Sequence, residues 1–356
     1  MPHLLVTISG HGLGHLAQTG PVLQALRRHR PDLRLTVASS LPEVRLRERI
    51  GPDLQPVSRA MDFGFLMRDA FRIDHAASAR AYQDFHAHWP SRVRDTADWL
   101  RAQSVDLVLA NAAYLPLAAA AEAGIPALGL SSLNWHDLAG FAFSGQAWVE
   151  PVLAEMLAAY RSAAAFIVLT PGMPMAALGN TLRVGPVAQV CAPRRAALRE
   201  RLGLAEGERT VLIAFGGFDR PLPMTDWPLP PGLRWLVPSA WGIRHPRVVA
   251  SDSLGWPFGE LVASVDALIG KPGYGTFAEA ACSGTPLLYA PRPDWPEQDA
   301  LVAWIAEHGW ARQVSDADLQ AGRLAAPLAA LWAQARPTPP LPVGDEEAAR
   351  IILRWL

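Results

Sequence analysis

The sequence predicts an α/β protein made of two doubly wound units, each a parallel sheet covered by helices. Three observations carry this expectation. Short apolar runs alternate with helical patterns along the whole chain, as repeated strand–helix units require. The pattern restarts near residue 185, and 356 residues suit two domains better than one. Three Gly-rich turns follow strand candidates, where open α/β sheets bind ligands.

In the first unit, strands are expected at 4–8, 33–38, 105–110, 127–130 and 166–169. Helices are expected at 16–28, ending at 98–103, at 115–123 and from residue 151 onward. The turns Pro171-Gly-Met-Pro174 and Val184-Gly-Pro186 read as an irregular crossing into the second unit. That unit opens with an amphipathic helix over 193–203 and a strand over 210–215. Further strands are expected at 235–237, 248–250, 267–269 and 286–289. The proline-rich stretch 337–342 is a stiff linker, followed by a helix over 346–356. Its helical spacing and Arg350 predict that it docks, back on the first unit. The expected domains are therefore 1–184, 185–336 and a linker with terminal helix over 337–356.

Composition narrows the function. Half the residues are hydrophobic and 18% are charged, which describes a core-rich globular protein. A net charge of −1 and the lack of a long basic run argue against a nucleic-acid partner. Cys191 and Cys282 lie far apart, form no metal-ligand spacing and read as buried thiols in a reducing cytoplasm. The N-terminus lacks the basic region and apolar length of a signal peptide. The apolar region 105–130 is broken by Asn111, Pro116, Glu122, Gly124 and Pro126, so it is not a membrane span. A soluble cytoplasmic protein is expected, with loose contact to a membrane surface left open.

The chain has one lysine among 32 basic residues, and it sits in a Gly-rich loop, Gly270-Lys-Pro-Gly273-Tyr-Gly275-Thr276. A compact charge on a thin stem, between a strand and a helix N-terminus, describes a phosphate cradle. The alternative is one lysine codon falling there by chance in an Arg-biased chain. Thr276 and Glu279 read either as a capping box or as ligands, Thr276 for phosphate and Glu279 for a ribose. The polar loop Arg292-Pro-Asp-Trp-Pro-Glu297-Gln298-Asp299 offers groups for sugar hydroxyls.

The first turn, Ser9-Gly-His-Gly-Leu-Gly-His15, spaces Gly10, Gly12 and Gly14 singly. This is not a dinucleotide fingerprint, and Ala38-Ser-Ser follows where a ribose-binding acid would stand. The His11–His15 spacing suggests a metal, but the glycines between them and the lack of a nearby acid argue against one. At the mouth of a helix, His15 is either a general base or a helix-capping histidine.

The stretch 266–298 resembles the nucleotide-sugar half of GT-B glycosyltransferases. The Gly273-Tyr-Gly-Thr276-Phe-Ala-Glu279 core, the Gly284-Thr-Pro286 turn and the Glu297-Gln298 pair are similar to the MurG-like lineage, glycosyltransferase family 28. The whole pattern is also similar to the GT-B-like N-terminal region of plant L-arabinokinases. These share a Gly-His-Gly-x-Gly-His start, a strand ending in Phe215-Gly216-Gly217, and Asp62-Phe-Gly64 with Asp74 downstream. The resemblance implies two Rossmann-like domains facing a cleft. Kinase activity is not carried over.

It further implies an inverting, metal-independent transferase of hexosyl or N-acetylhexosaminyl groups, needing no cofactor beyond its nucleotide-sugar substrate, most readily a UDP-sugar. His15 would deprotonate the acceptor. Lys271 would hold the diphosphate, and Glu279 the ribose. Family members often carry a proline three residues after the histidine, whereas here Pro21 stands six after it. On the acceptor side, Gly12, Gly14, Asp62, Asp74 and Asn134 are candidates, and His136 with Asp137 forms a second possible base and partner. Trp135 and Trp295 are candidates to stack on a ligand. Two rivals stay open: a nucleotide-sugar 2-epimerase, which needs carboxylates in the cleft, and a non-catalytic nucleotide-sugar binder.

Overall fold

The computed structural model describes residues 1–217 and 220–356. Phe218 and Asp219, the end of the second Gly-rich turn, lie outside the described residues. Seven strands form the first sheet: β1 (His3–Ile8), β2 (Arg34–Ser39), β3 (Gln55–Ser58), β4 (Leu107–Asn111), β5 (Ala127–Ser131), β6 (Ala165–Thr170) and β7 (Thr181–Pro186). Six form the second: β8 (Arg209–Ile213), β9 (Leu233–Val237), β10 (Val248–Ala250), β11 (Ala267–Gly270), β12 (Leu287–Tyr289) and β13 (Ala311–Gln313). The orders are 3-2-1-4-5-6-7 and 10-9-8-11-12-13, and every pairing is parallel.

The sequence explains why these sheets are covered on both faces. All six residues of β1 are buried: Leu4, Val6 and Ile8 enter one core and Leu5 another. A continuous apolar strand of this kind is stable only between two helical layers. The first of these cores runs into the second domain, joining Leu16 and Leu23 to Tyr274, Phe277 and Ile305.

Each strand order reverses once, between β1 and β4 and again between β8 and β11. Ligands of open α/β sheets bind outside the carboxyl ends of the strands at such a switch point. One reversal therefore carries the first Gly-rich turn. The other carries both Gly216-Gly217 and the Lys271 loop.

Three features differ from the sequence expectation. The crossing at Val184-Gly-Pro186 is the end of edge strand β7, so the first sheet runs through residue 186. Edge strands β3 and β13 were not anticipated. The third feature is the segment around the antiparallel bridge Met67–Ile73, which leaves the first domain. It places Ala70 and Phe71 in the core of the second domain with Val211, Ile213 and Phe215.

The terminal helix (Gly344–Ile352) packs against the first helix (Gly14–His29) and β7. Arg28 and His29 pair with Glu346, and Glu347 accepts from the Gly185 backbone. Among the described residues, no helix is long and apolar enough to cross a membrane.

Candidate functional site

His15 lies in the first turn of the helix Gly14–His29 and is buried. Its Nδ1 is 2.6 Å from Oδ1 of Asn111, the last residue of β4. The pair thus stands at the first switch point. Burial pushes the His15 pKa down to about 4, although the bond to Asn111 acts the other way. The ring is therefore neutral near pH 7. Asn111 Nδ2 donates to Gln18 Oε1 at 3.0 Å, and Gln18 Nε2 donates to Ser132 Oγ at 2.7 Å.

Aromatic rings pack against the turn. His11 stacks on Trp295, with centroids 5.2 Å apart and planes within 3°, and meets Trp135 edge-on. The Trp135 indole donates to Asp62 at 2.7 Å, and burial raises the Asp62 carboxyl to a pKa of about 6. Trp135 and Trp295 are both buried.

The second domain brings charge to the same place. Lys271 follows β11 and is buried. Burial and the neighbouring Arg292 pull its pKa well below the ordinary lysine value, with Glu297 opposing. The Arg292 guanidinium lies 3.8 Å over the Trp295 ring, and burial lowers its pKa to about 10. Glu297 accepts from the Trp295 indole at 2.9 Å and, across the cleft, from Ser132 Oγ at 2.5 Å. Burial raises its pKa, while those bonds, Arg292 and Lys271 pull the other way. Gln298 turns inward to accept from the Arg292 backbone. His11 links the two loops. Its pKa falls well below the ordinary value through burial and the charges of Arg292, His15 and Lys271.

The domains meet closely at the turns. Leu13 N–H donates to Gly216 O at 3.2 Å. Gly217 has φ +88°, and a β-carbon there would lie 2.9 Å from the Leu13 side chain. A β-carbon on Gly275 would come within 2.8 Å of Ala17, so the helices opening from the first and third turns touch at this glycine.

The structure corrects the capping box. The helix Tyr274–Ser283 has Gly273 at its N-cap with no side-chain cap, and Thr276 sits inside the first turn. Glu279 is held instead by Arg49 of the first domain in a buried ion pair. The Tyr274 hydroxyl accepts from Val187 N–H at 2.9 Å and donates to Thr170 O at 3.0 Å, which ties this helix to the crossing between domains.

Other predicted residues are engaged in local structure. Asn134 caps the helix Trp135–Ala142, accepting from Asp137 N–H. His136 and Asp137 are paired at 2.8 Å. Burial raises the Asp137 pKa, but bonds from His136 and Asn134 outweigh it, so the carboxyl sits below its usual range. Asp74 caps the helix His75–Ala87.

Sequence reasoning did not assign Asn111, Gln18, Ser132 or Arg292. Asn111 carried one usable signal, a polar residue closing the apolar strand Leu-Val-Leu-Ala-Asn. Among the described residues, no three His, Cys, Asp or Glu side chains gather as metal ligands.

The two sheets, their switch points and the facing domains define the GT-B fold. Solved structures share it over most or all of their length. The glycosyltransferase of kitacinnamycin superposes with TM-score 0.60 and 18% identity, over 100% of this chain and 99% of that one. UGT2 of Phytolacca americana, complexed with UDP-2-fluoroglucose and pterostilbene, gives 0.56 and 15%, over 99% and 89%. A protein described as a UDP-N-acetylglucosamine 2-epimerase, from Listeria monocytogenes, gives 0.56 and 14%, over 99% and 94%. In sequence, L-arabinokinase of Arabidopsis thaliana is 25% identical over 301 residues, 83% of this chain. The chain spans only 28% of that protein. No family model matches the chain.

Proposed function

We propose that the protein is a glycosyltransferase that moves a hexosyl or N-acetylhexosaminyl group from a nucleotide-diphosphate sugar to an acceptor. The observation that carries this is the opposition of two chemistries across one cleft. On one side stands a neutral, oriented imidazole. On the other stand a buried lysine and arginine beside a helix N-terminus. The uncharged His15 can accept a proton from an acceptor hydroxyl. Lys271, Arg292 and the amides opening the helix Tyr274–Ser283 can take up negative charge on the leaving diphosphate. Glu297 and Gln298 are the candidates for sugar hydroxyls, and Glu279 becomes available to a ribose on leaving Arg49. Attack by an acceptor hydroxyl in line with the departing diphosphate inverts the sugar carbon. These charges are supplied by side chains and amides, so the reading needs no metal. The structural neighbours named with UDP ligands or substrates favour a UDP-sugar.

The test is thermal stabilisation by UDP, GDP, dTDP and CMP, followed by release of nucleotide from the sugar donor when candidate acceptors are supplied. A nucleotide that binds the native state raises the melting temperature by mass action. Failure of all four to stabilise the protein would sink the donor assignment.

One observation favours a second reading. Burial pushes the Asp62 carboxyl up to about 6, into the range that suits the proton exchange of a 2-epimerase acting by elimination. Inversion at the sugar C2 without any acceptor, lost in Asp62→Asn, would select that reading.

A further inference from the structure

The hydrogen bonds beneath His15 run in one direction, and that direction is set at their far end. Glu297 accepts at both carboxylate oxygens, from Ser132 Oγ and from the Trp295 indole, which can only donate. Ser132 therefore commits its hydroxyl hydrogen to Glu297, and its oxygen receives the Gln18 Nε2 donor. This turns Gln18 Oε1 the other way, where it accepts from Asn111 Nδ2 at 3.0 Å and from Ser131 Oγ at 3.1 Å. With its nitrogen committed, Asn111 presents oxygen to His15. The hydrogen between them then belongs to His15 Nδ1, and Nε2 keeps its lone pair. If Asn111 were reversed, Nδ1 would have to accept and Nε2 would carry the hydrogen. Such a ring is no base at Nε2. His15, Gln18, Asn111, Ser131, Ser132 and Glu297 are all buried, so water does not easily substitute for a missing partner.

We propose that Gln18 is a positioning residue for His15: by fixing which end of Asn111 faces the ring, it holds the Nδ1–H tautomer, under the control of Glu297 in the other domain. The consequence is an interlock between domains. The base is set in its competent form when Glu297 engages Ser132, and that contact exists only when the domains meet. The proposal rests on the reading of His15 as a base, but its test does not require turnover.

The experiment is long-range proton–nitrogen NMR on the full chain carrying ¹⁵N-histidine, with the His15 signals identified by their loss in His15→Ala. The wild type should show His15 protonated at Nδ1 and unprotonated at Nε2. Gln18→Met keeps the side-chain length but leaves Asn111 Nδ2 without its main acceptor, so the amide loses its preferred orientation. The Nδ1–H population should then fall to about half or less, because nothing distinguishes the two ends of the amide. Gln18→Glu keeps an oxygen facing Asn111 in either protonation state and should restore the wild-type tautomer. Melting curves of both variants confirm that the spectra come from folded protein. Two results would each overturn the proposal: a Gln18→Met protein that keeps the Nδ1–H tautomer, or a Gln18→Glu protein that loses it equally. If the tautomer follows these variants while no sugar transfer is found with any donor, the positioning role stands and the transferase reading fails.

Discussion

The first and third Gly-rich turns use the same backbone construction for opposite electrostatic ends. Each follows a central strand at a switch point, turns through glycine and opens a helix. The first carries His15, kept neutral by burial and oriented by an amide. The third carries Lys271 beside Arg292, two basic side chains in a buried space that lowers the pKa of both. The backbone alone would make both turns anion sites. Side chains decide that one is suited to receive a proton and the other a diphosphate, so substitutions at the two turns should fail in different measurements.

The largest separation is expected in turnover. His15→Ala should lower kcat by about 10²–10⁴, the usual loss for a positioned general base, while nucleotide affinity stays intact. Single-turnover kinetics with saturating donor would check it, and wild-type kcat in the variant would remove the base assignment. Lys271→Met should instead weaken nucleotide binding. Calorimetry with the nucleoside diphosphate should show binding weakened by roughly 1.5–3 kcal/mol, as expected for a charged hydrogen bond. Equal loss in both measurements for both variants would mean that the two turns act as one unit.

The same contrast has a pH signature within the first domain. The His15 pKa is lowered in the folded state, from 6.5 to about 4, so the unfolded chain binds that proton first. Its contribution to stability is present above pH 6.5 and is lost as pH falls toward 4. Asp62 is raised from 3.8 to about 6, so here the folded protein binds the proton first. Its contribution grows as pH falls from 6 and is lost as pH rises through 6. The two groups offset each other between pH 6 and 4. Asp62→Asn removes one side of that balance. Relative to wild type, its stability should fall by about 2 kcal/mol more on going from pH 6 to pH 4, for a shift of about two units. Urea unfolding of both proteins at the two pH values would check this, and parallel curves would mean the Asp62 carboxyl is not raised.

The legible parts of the sequence were those where burial writes itself into composition. Strands β1, β4, β5, β8 and β11 stand in the middle of their sheets, are almost wholly buried and each contain an apolar run, so each was marked within two residues at either end. Edge strands β3, β7 and β13 bury only Val184 among their residues and offered no apolar run. The helix Glu43–Ile50 was hidden similarly, since only Leu46 and Ile50 of its eight residues are buried. Lys271 stood out because its residue type is unique in the chain. Its neighbour Arg292 did not, because one arginine among 31 carries no signal. Asn111 was out of reach for a different reason. It meets His15 across 96 residues of sequence, and only the pairing of β1 with β4 brings the two together.

The smallest predicted effect tests the boundary of the site. Asp74 was a candidate for the acceptor side, yet its carboxylate accepts from Ala77 N–H at 3.0 Å and so occupies the N-cap of the helix His75–Ala87. An N-cap aspartate replaced by alanine leaves an amide of the first helical turn without its partner, typically at a cost of about 1 kcal/mol. Asp74→Ala should therefore lower the urea midpoint modestly. Asp74→Asn, which caps equally well, should restore it. If Asp74 only caps, the acceptor KM will track neither change, because stability and binding are then separate properties of this side chain. A rise in acceptor KM shared by both variants, with the midpoint restored only in Asp74→Asn, would show that the carboxylate charge contacts the acceptor. The first domain would then bring an anion to the cleft at Asp74 as well as the neutral base at His15, and its contrast with the cationic third turn would be sharper still.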